Sequence, residues 1–180
     1  MVSFCDLMPT FIELAGGKAP PNLDGQSFLG VLLGKTKEHR HEIYAAHSGD
    51  RDFNVFPTRC VRTRQFKYIL NLHPEFEYTT HIDLAGPNDG RVYFDSWVAK
   101  AKTDRETAAV VRRYHEHPRE ELYDVVADPH EMHNLAAEPK HAARLKELRG
   151  KVQAWMKEQG DEGKVFGNPR LLSKTVRAQP

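Results

Sequence analysis

Residues 120–135, EELYDVVADPHEMHNL, decide how this chain folds. Leu122, Tyr123 and Val125 suit a half-buried strand, because aromatic and β-branched side chains pack well on a pleated surface. Asp128-Pro129 ends the ladder, since proline offers no N–H and pushes the residue before it away from the helical region. Asp128 and Asn134 carry short polar side chains of the kind that bond nearby backbone amides in turns. Pro139 fits the first turn of a helix. Beyond it Leu145, Leu148, Val152, Trp155 and Met156 recur at spacings of three and four and draw one apolar stripe. Burying such side chains stabilises by roughly 1.5–3 kcal/mol each before entropy is subtracted. The helix is therefore expected to dock on the strand that precedes it.

Working backwards, Phe66 to Leu72 and Thr58 to Thr63 read as a hairpin turning around Arg64-Gln65. His41 to His47 alternates loosely, with Ile43 and Ala45 on one face and Tyr44 and Ala46 on the other. Together with Glu121 to Val125 these predict an α+β fold: one four-stranded antiparallel sheet with the last helix on one face. Between hairpin and fourth strand lies an insertion of roughly fifty residues, His73 to Arg119, on a scale where ~12–15 is already long for a loop. Residues 91–103 and 105–115 within it read as two helices, carrying Val92, Phe94, Trp97 and Val98, then Ala108, Val111 and Tyr114. Near the start, Asp6 is an N-cap for a short helix over Leu7, Phe11, Ile12 and Leu14, stopped at Gly16-Gly17. A loop from Lys18 and a short helix or turn over Ser27 to Leu33 follow. The organisation expected is a leading segment 1–35, a sheet unit 36–160 with a helical insertion 74–119, and an extended or disordered tail 161–180.

Composition removes several classes of function. The chain has 180 residues, with 26 basic and 25 acidic side chains for a net charge of +1. That balance lacks the basic stripe of a nucleic-acid footprint. No apolar run approaches the ~20 residues of a membrane span, and Phe28 to Leu33 is broken by Gly30. Val2-Ser3-Phe4-Cys5-Asp6 lacks the basic region and apolar core of a leader. Cys5 and Cys60 cannot frame a disulfide scaffold and are expected as small buried hydrophobes. His130-Glu131-Met132-His133 is one residue short of H-E-x-x-H, and no carboxylate or thiol cluster accompanies His115 and His117, so no metal site is predicted.

Taken together, these motifs resemble the sulfatases. In that family a strand E-L-Y-D precedes D-P-x-E-x-x-N-L and a last helix, as in residues 121–135. The pattern V-S-x-x-D-L-x-P-T-x-x-x-L-A-G stands here as Val2, Ser3, Asp6, Leu7, Pro9, Thr10, Leu14, Ala15 and Gly16. It is followed by L-D-G-x-S as Leu23, Asp24, Gly25 and Ser27. The hairpin R-x-V-R-T-x-x-[YF]-K-[YL]-I stands as Arg59, Val61, Arg62, Thr63, Phe66, Lys67, Tyr68 and Ile69. Phe56-Pro57-x-Arg59, Asn71-Leu72 and the aromatic insertion are similar to the heparan N-sulfatase (sulfamidase) branch. The resemblance implies the C-terminal subdomain of a sulfatase, with residues 1–35 ending the large catalytic domain.

It also implies a reaction in which a formylglycine made from C/S-x-P/A-x-R attacks sulfur while calcium neutralises the sulfate oxygens. Neither cysteine fits. Cys5 is followed by Asp6-Leu7-Met8-Pro9, and Cys60 by Val61-Arg62-Thr63-Arg64, with Arg62 where proline or alanine belongs. The calcium ligands have no match either. So this chain alone is expected to be inert, with no catalytic and no metal residues. Its expected partners are the N-terminal catalytic domain, a sulfated sugar and a second copy of the chain in a homodimer, not nucleic acid or membrane, in an exported (periplasmic or extracellular) or lysosomal setting. Substrate contact is expected from the loop His47-Ser48-Gly49-Asp50-Arg51-Asp52 with Phe56 and Arg59. Arginines, carboxylates and an aromatic together suit a sulfated, hydroxylated sugar. The site residues are thus His47, Arg51, Asp52, Phe56 and Arg59. Structural ion pairs at Arg59 and Arg62 with a merely solvated loop are the competing reading. A stand-alone binding or dimerisation module that kept the fold is the rival function.

Overall fold

Alternation along four strands puts Val61, Tyr68 and Leu122 in one row across a sheet, and that row is the centre of the molecule. The computed structural model describes residues 1–51, 53–84, 86 and 90–172. Strands β1 (Glu42–His47), β2 (Thr58–Thr63), β3 (Phe66–Asn71) and β4 (Glu120–Asp124) pair antiparallel in the order β1-β2-β3-β4. Helix α1 (Leu7–Leu14) and the short α2 (Leu29–Leu32) precede the sheet. Helices α3 (His81–Leu84), α4 (Val92–Ala101) and α5 (Arg105–His115) lie between β3 and β4, and α6 (Ala142–Glu158) follows β4. The fold is the expected α+β arrangement, with β4 starting one residue early, at Glu120.

Helix α6 covers one face of the sheet. Its Leu145, Leu148 and Val152 cluster with Val61, Phe66, Tyr68, Leu70 and Leu122. Trp155 stacks on Tyr44 with ring centroids 5.3 Å apart. Polar ties frame this contact. Arg149 donates to both carboxylate oxygens of Glu120 at 2.6 and 2.8 Å, and the Tyr68 hydroxyl donates to the same carboxylate at 2.6 Å. Lys151 pairs with Glu42.

The stretch after β4 closes the sheet's open edge. The Leu122 N–H donates to Asn134 Oδ1 at 2.9 Å, Asn134 Nδ2 donates to the Glu120 carbonyl at 3.0 Å, and the Leu135 N–H donates to the Leu122 carbonyl at 2.8 Å. An edge strand leaves a row of unpaired amides that invites aggregation, and here an asparagine and its neighbour occupy it. Upstream, Asp124 Oδ1 accepts from the Val126 and Ala127 amides and Asp128 Oδ2 from that of His133. The D-P-x-E-x-x-N-L pattern is thus a device for turning the chain and sealing β4.

The leading motifs interlock in the same way. Asp6 is fully buried and accepts from the Ser3 and Gln26 amides, both at 2.9 Å, and from Arg40 at 2.8 and 2.5 Å. His39 Nε2 lies 3.1 Å from it. Burial pushes its pKa up, but the bonds from Arg40, Gln26, Ser3 and His39 outweigh that and hold it well below the usual carboxylate range. Thr10 Oγ1 donates to the Asp6 carbonyl and accepts from the Phe28 amide. Gly25 lies so close that a Cβ there would stand 1.8 Å from the Cys5 carbonyl oxygen. Only glycine permits that approach.

One expectation fails here. Cys5 is exposed and Cys60 half-buried, so neither is a buried hydrophobe. The inner side of the turn Phe4–Asp6 is taken by Asp6, which turns Cys5 outward. After α6 the chain runs back extended: Leu171 bridges Phe76, and the Glu77 amide donates to the Arg170 carbonyl at 2.9 Å. Residues 173–180 of the tail lie outside the described residues.

Candidate substrate-facing site

The expected site residues do not converge on one place: Arg59 lies on the α6 face of the sheet, while His47 pairs with Thr58 and faces the other side. His47 ends β1, and its carbonyl accepts from Arg59 Nη1 at 2.8 Å. Its ring Nε2 is buried without a partner. Arg59 is almost wholly buried on the α6 face. Its Nη2 donates to Asp161 Oδ1 at 2.9 Å, its Nε donates to the other oxygen, and Nη1 also donates to the Thr58 carbonyl. The pairing with Arg59, against a smaller effect of burial, lowers the Asp161 pKa. The guanidinium is therefore engaged inside the fold. Arg51 is exposed at the loop tip with φ 48°, in the left-handed region, flanked by the bridge Asp50↔Asn54. Asp52 lies outside the described residues.

Phe56 lies at a cleft on the sheet face away from α6. It is buried edge-on to Tyr78, centroids 5.5 Å apart, and 5.4 Å from the His117 ring. Here the sheet face not covered by α6 meets the insertion, leaving a cleft of about 520 Å³. Its floor holds Glu121, a buried carboxylate on β4 that sequence reasoning missed. Glu121 accepts from Asn71 Nδ2 at 2.7 Å and from the Tyr123 hydroxyl, and lies 3.1 Å from His117 Nδ1. Burial pushes the Glu121 pKa up, but these three partners outweigh it, and the net direction is down. Tyr123, by burial and by its bond to Glu121, is pushed above the ordinary phenol range. Tyr78 and Tyr114 pack edge to face in its wall, Phe94 lies buried behind Tyr114, and Trp97 stands beyond. The only hint in the sequence was the density of aromatics in the insertion.

Cys60 faces the cleft side of β2, and burial drives its thiol pKa up to about 11, the wrong direction for a nucleophile. Among the described residues no three His, Cys, Asp or Glu side chains converge where a metal ion could sit. The residues present do not fit calcium or formylglycine. Among the described residues no helix is long and apolar enough to cross a membrane.

The meander capped by a terminal helix and the interlocked leading motifs define the C-terminal part of a sulfatase. Residues 1–96 match the family of the C-terminal region of N-sulphoglucosamine sulphohydrolase, and the chain belongs to that family. An ulvan-active sulfatase of Formosa agariphila is 36% identical over 98% of this chain and 33% of its own length. Human N-sulphoglucosamine sulphohydrolase is 27% identical over 89% of this chain and 33% of its own length. In fold, the chain is similar to a solved putative sulfatase from Bacteroides thetaiotaomicron, with TM-score 0.61 and 23% identity over 97% of this chain and 28% of that one. It thus spans about a third of the length of these two curated relatives.

Proposed function

We propose that this chain is the pocket-shaping C-terminal part of a sulfatase that hydrolyses sulfate esters or sulfamates of sugars, N-sulfoglucosamine of heparan-type glycans among them. It packs on a catalytic domain and is inert alone. The observation carrying this reading is the outer face of α1 and α2. Phe4 is 91% exposed, and Met8, Phe11, Leu14, Leu32 and Leu33 are all more than half exposed, while Asp6 and Thr10 lock the inner side. A contiguous apolar face of this kind marks a protein interface. Its occupant is the catalytic domain, which also supplies formylglycine and calcium. In the isolated chain the same face favours self-association. The exposed Arg51 and the loop that follows His47 reach toward the sugar, with Phe56 and Arg59 fixing the ends of that segment. By likeness to the sulfatases, the enzyme works in an exported or lysosomal compartment.

The test joins this chain to a catalytic domain and measures sulfate released from sulfated oligosaccharides. The joined protein is expected to release sulfate, and the same protein ended before Val2 is not. Undiminished release after truncation, or no release from any sulfated sugar by the joined protein, refutes the proposal.

A further inference from the structure

We infer that the cleft between the sheet and the insertion is a binding site for a hydroxyl-bearing sugar ring of an oligosaccharide. The inference rests on the sulfated-sugar reading above and adds a location to it. Three features of the cleft are independent of one another. First, at about 520 Å³ it has the size of a small-ligand site, and Phe56, Tyr78, Trp97, Tyr114 and Tyr123 are among its lining. Second, Trp97 remains 50% exposed at this cleft although its neighbour Phe94 is buried in the insertion. A large aromatic ring held on a helix and left half bare offers a flat apolar face, the surface on which the C–H face of a pyranose settles. Third, the half-buried Glu116 is among the residues lining the cleft, and its Oε1, turned away from solvent, has no hydrogen-bond partner.

That third feature points to a ligand. A buried acceptor without a donor costs free energy, more when it is charged. The surrounding groups do not relieve it. The carboxylate beside it, Glu121, is itself filled by Asn71, Tyr123 and His117. Asn134 is spent on the β4 edge. A donor from outside is what the oxygen lacks. His117 has Nδ1 committed to Glu121 and presents a second ring nitrogen, while the exposed Arg113 makes only a weak contact to the Met132 sulfur at 3.3 Å. One carboxylate acceptor, the Arg113 guanidinium as donor and a bare indole face match the alternating hydroxyls and apolar face of a sugar ring. An apolar peptide would leave the acceptor unmet.

The experiment uses the 180-residue chain with Trp155, which stacks on Tyr44 beneath α6, replaced by phenylalanine so that Trp97 alone reports. Sulfated oligosaccharides from ulvan and from heparan sulfate, and their desulfated forms, are titrated in while its fluorescence is followed. A saturable change is expected with at least one of them. Glu116→Ala is expected to weaken that binding by about tenfold or more, while leaving the thermal midpoint unchanged or raised. Opposite effects on binding and stability do not arise from a merely structural carboxylate. Absence of any saturable change, unaltered affinity in Glu116→Ala, or a lowered midpoint each overturns the inference. In the protein joined to its catalytic domain, Trp97 should stay open to acrylamide quenching without sugar; protection there would mean the catalytic domain fills the cleft. Binding is read here without turnover, so failure of this site and failure of the sulfatase reading are separately visible.

Discussion

Replacing Asp6 with alanine should unlock the leading segment while leaving the sheet intact. The carboxylate holds the amides of Ser3 and Gln26 and both ends of the Arg40 guanidinium, and it has no contact with solvent. Its removal strands two backbone donors at about 1–3 kcal/mol each where they stay buried. It also leaves a guanidinium without its counter-charge, and breaking a buried pair costs about 3–5 kcal/mol. Arg40 keeps 22% of its side-chain exposure, so water recovers part of that. A net loss of about 3 kcal/mol follows, or some two decades in a local opening equilibrium. Hydrogen exchange at the Gln26 and Phe28 amides should then speed up by about a hundredfold, with the β2 and β3 amides unmoved. The acid limb carries the same signature. A carboxyl whose folded pKa is depressed stabilises fully above its unfolded value of about 3.9 and loses that as pH falls toward the folded value. Wild-type protection should therefore fade below about pH 4, and that of Asp6→Asn should show a shallower dependence there. Less than a fivefold change in exchange for Asp6→Ala would refute the reasoning, because the clamp would then be a crowded but idle contact.

Leu148→Ala removes a fully buried side chain between α6 and β3, and should lower stability to urea by about 2–5 kcal/mol; a loss under 1 would mean the helix is not docked as described. Asp161→Ala withdraws the partner of a buried arginine and frees the tail, so limited proteolysis near Lys164 should accelerate while cleavage within β2 and β3 does not. At pH 8 a thiol reagent should modify exposed Cys5 quickly and Cys60 slowly, because burial pushes the Cys60 thiol up to about 11; equal rates would contradict the placement.

How far the sequence discloses this molecule depends on the range of the interaction involved. The strands, the hairpin and α6 come from periodicity, which says which residues share a face. Val61, Tyr68 and Leu122 share one, as the pattern requires. Periodicity does not say what covers the opposite face. Glu121 therefore reads as a solvent-facing strand residue, although three side chains from β3, β4 and the end of the insertion bury and satisfy it. Arg59 shows the same limit at longer range. Asp161 stands 102 residues away, and no local pattern could have named it. Cys5 was misjudged from its residue type, whereas its exposure follows from Asp6 taking the inside of the same turn. Asn134 was legible as a turn residue, but its second task, sealing the edge of β4, needed the register.

The central claim is that this polypeptide lacks a reactive centre of its own and leans on a neighbour that carries it. The direct measurement is sulfate release by the purified 180-residue chain, followed by ion chromatography over a panel of O- and N-sulfated sugars with calcium present. The account predicts no release above buffer with any of them. Turnover that disappears on replacing a residue within this chain would contradict it.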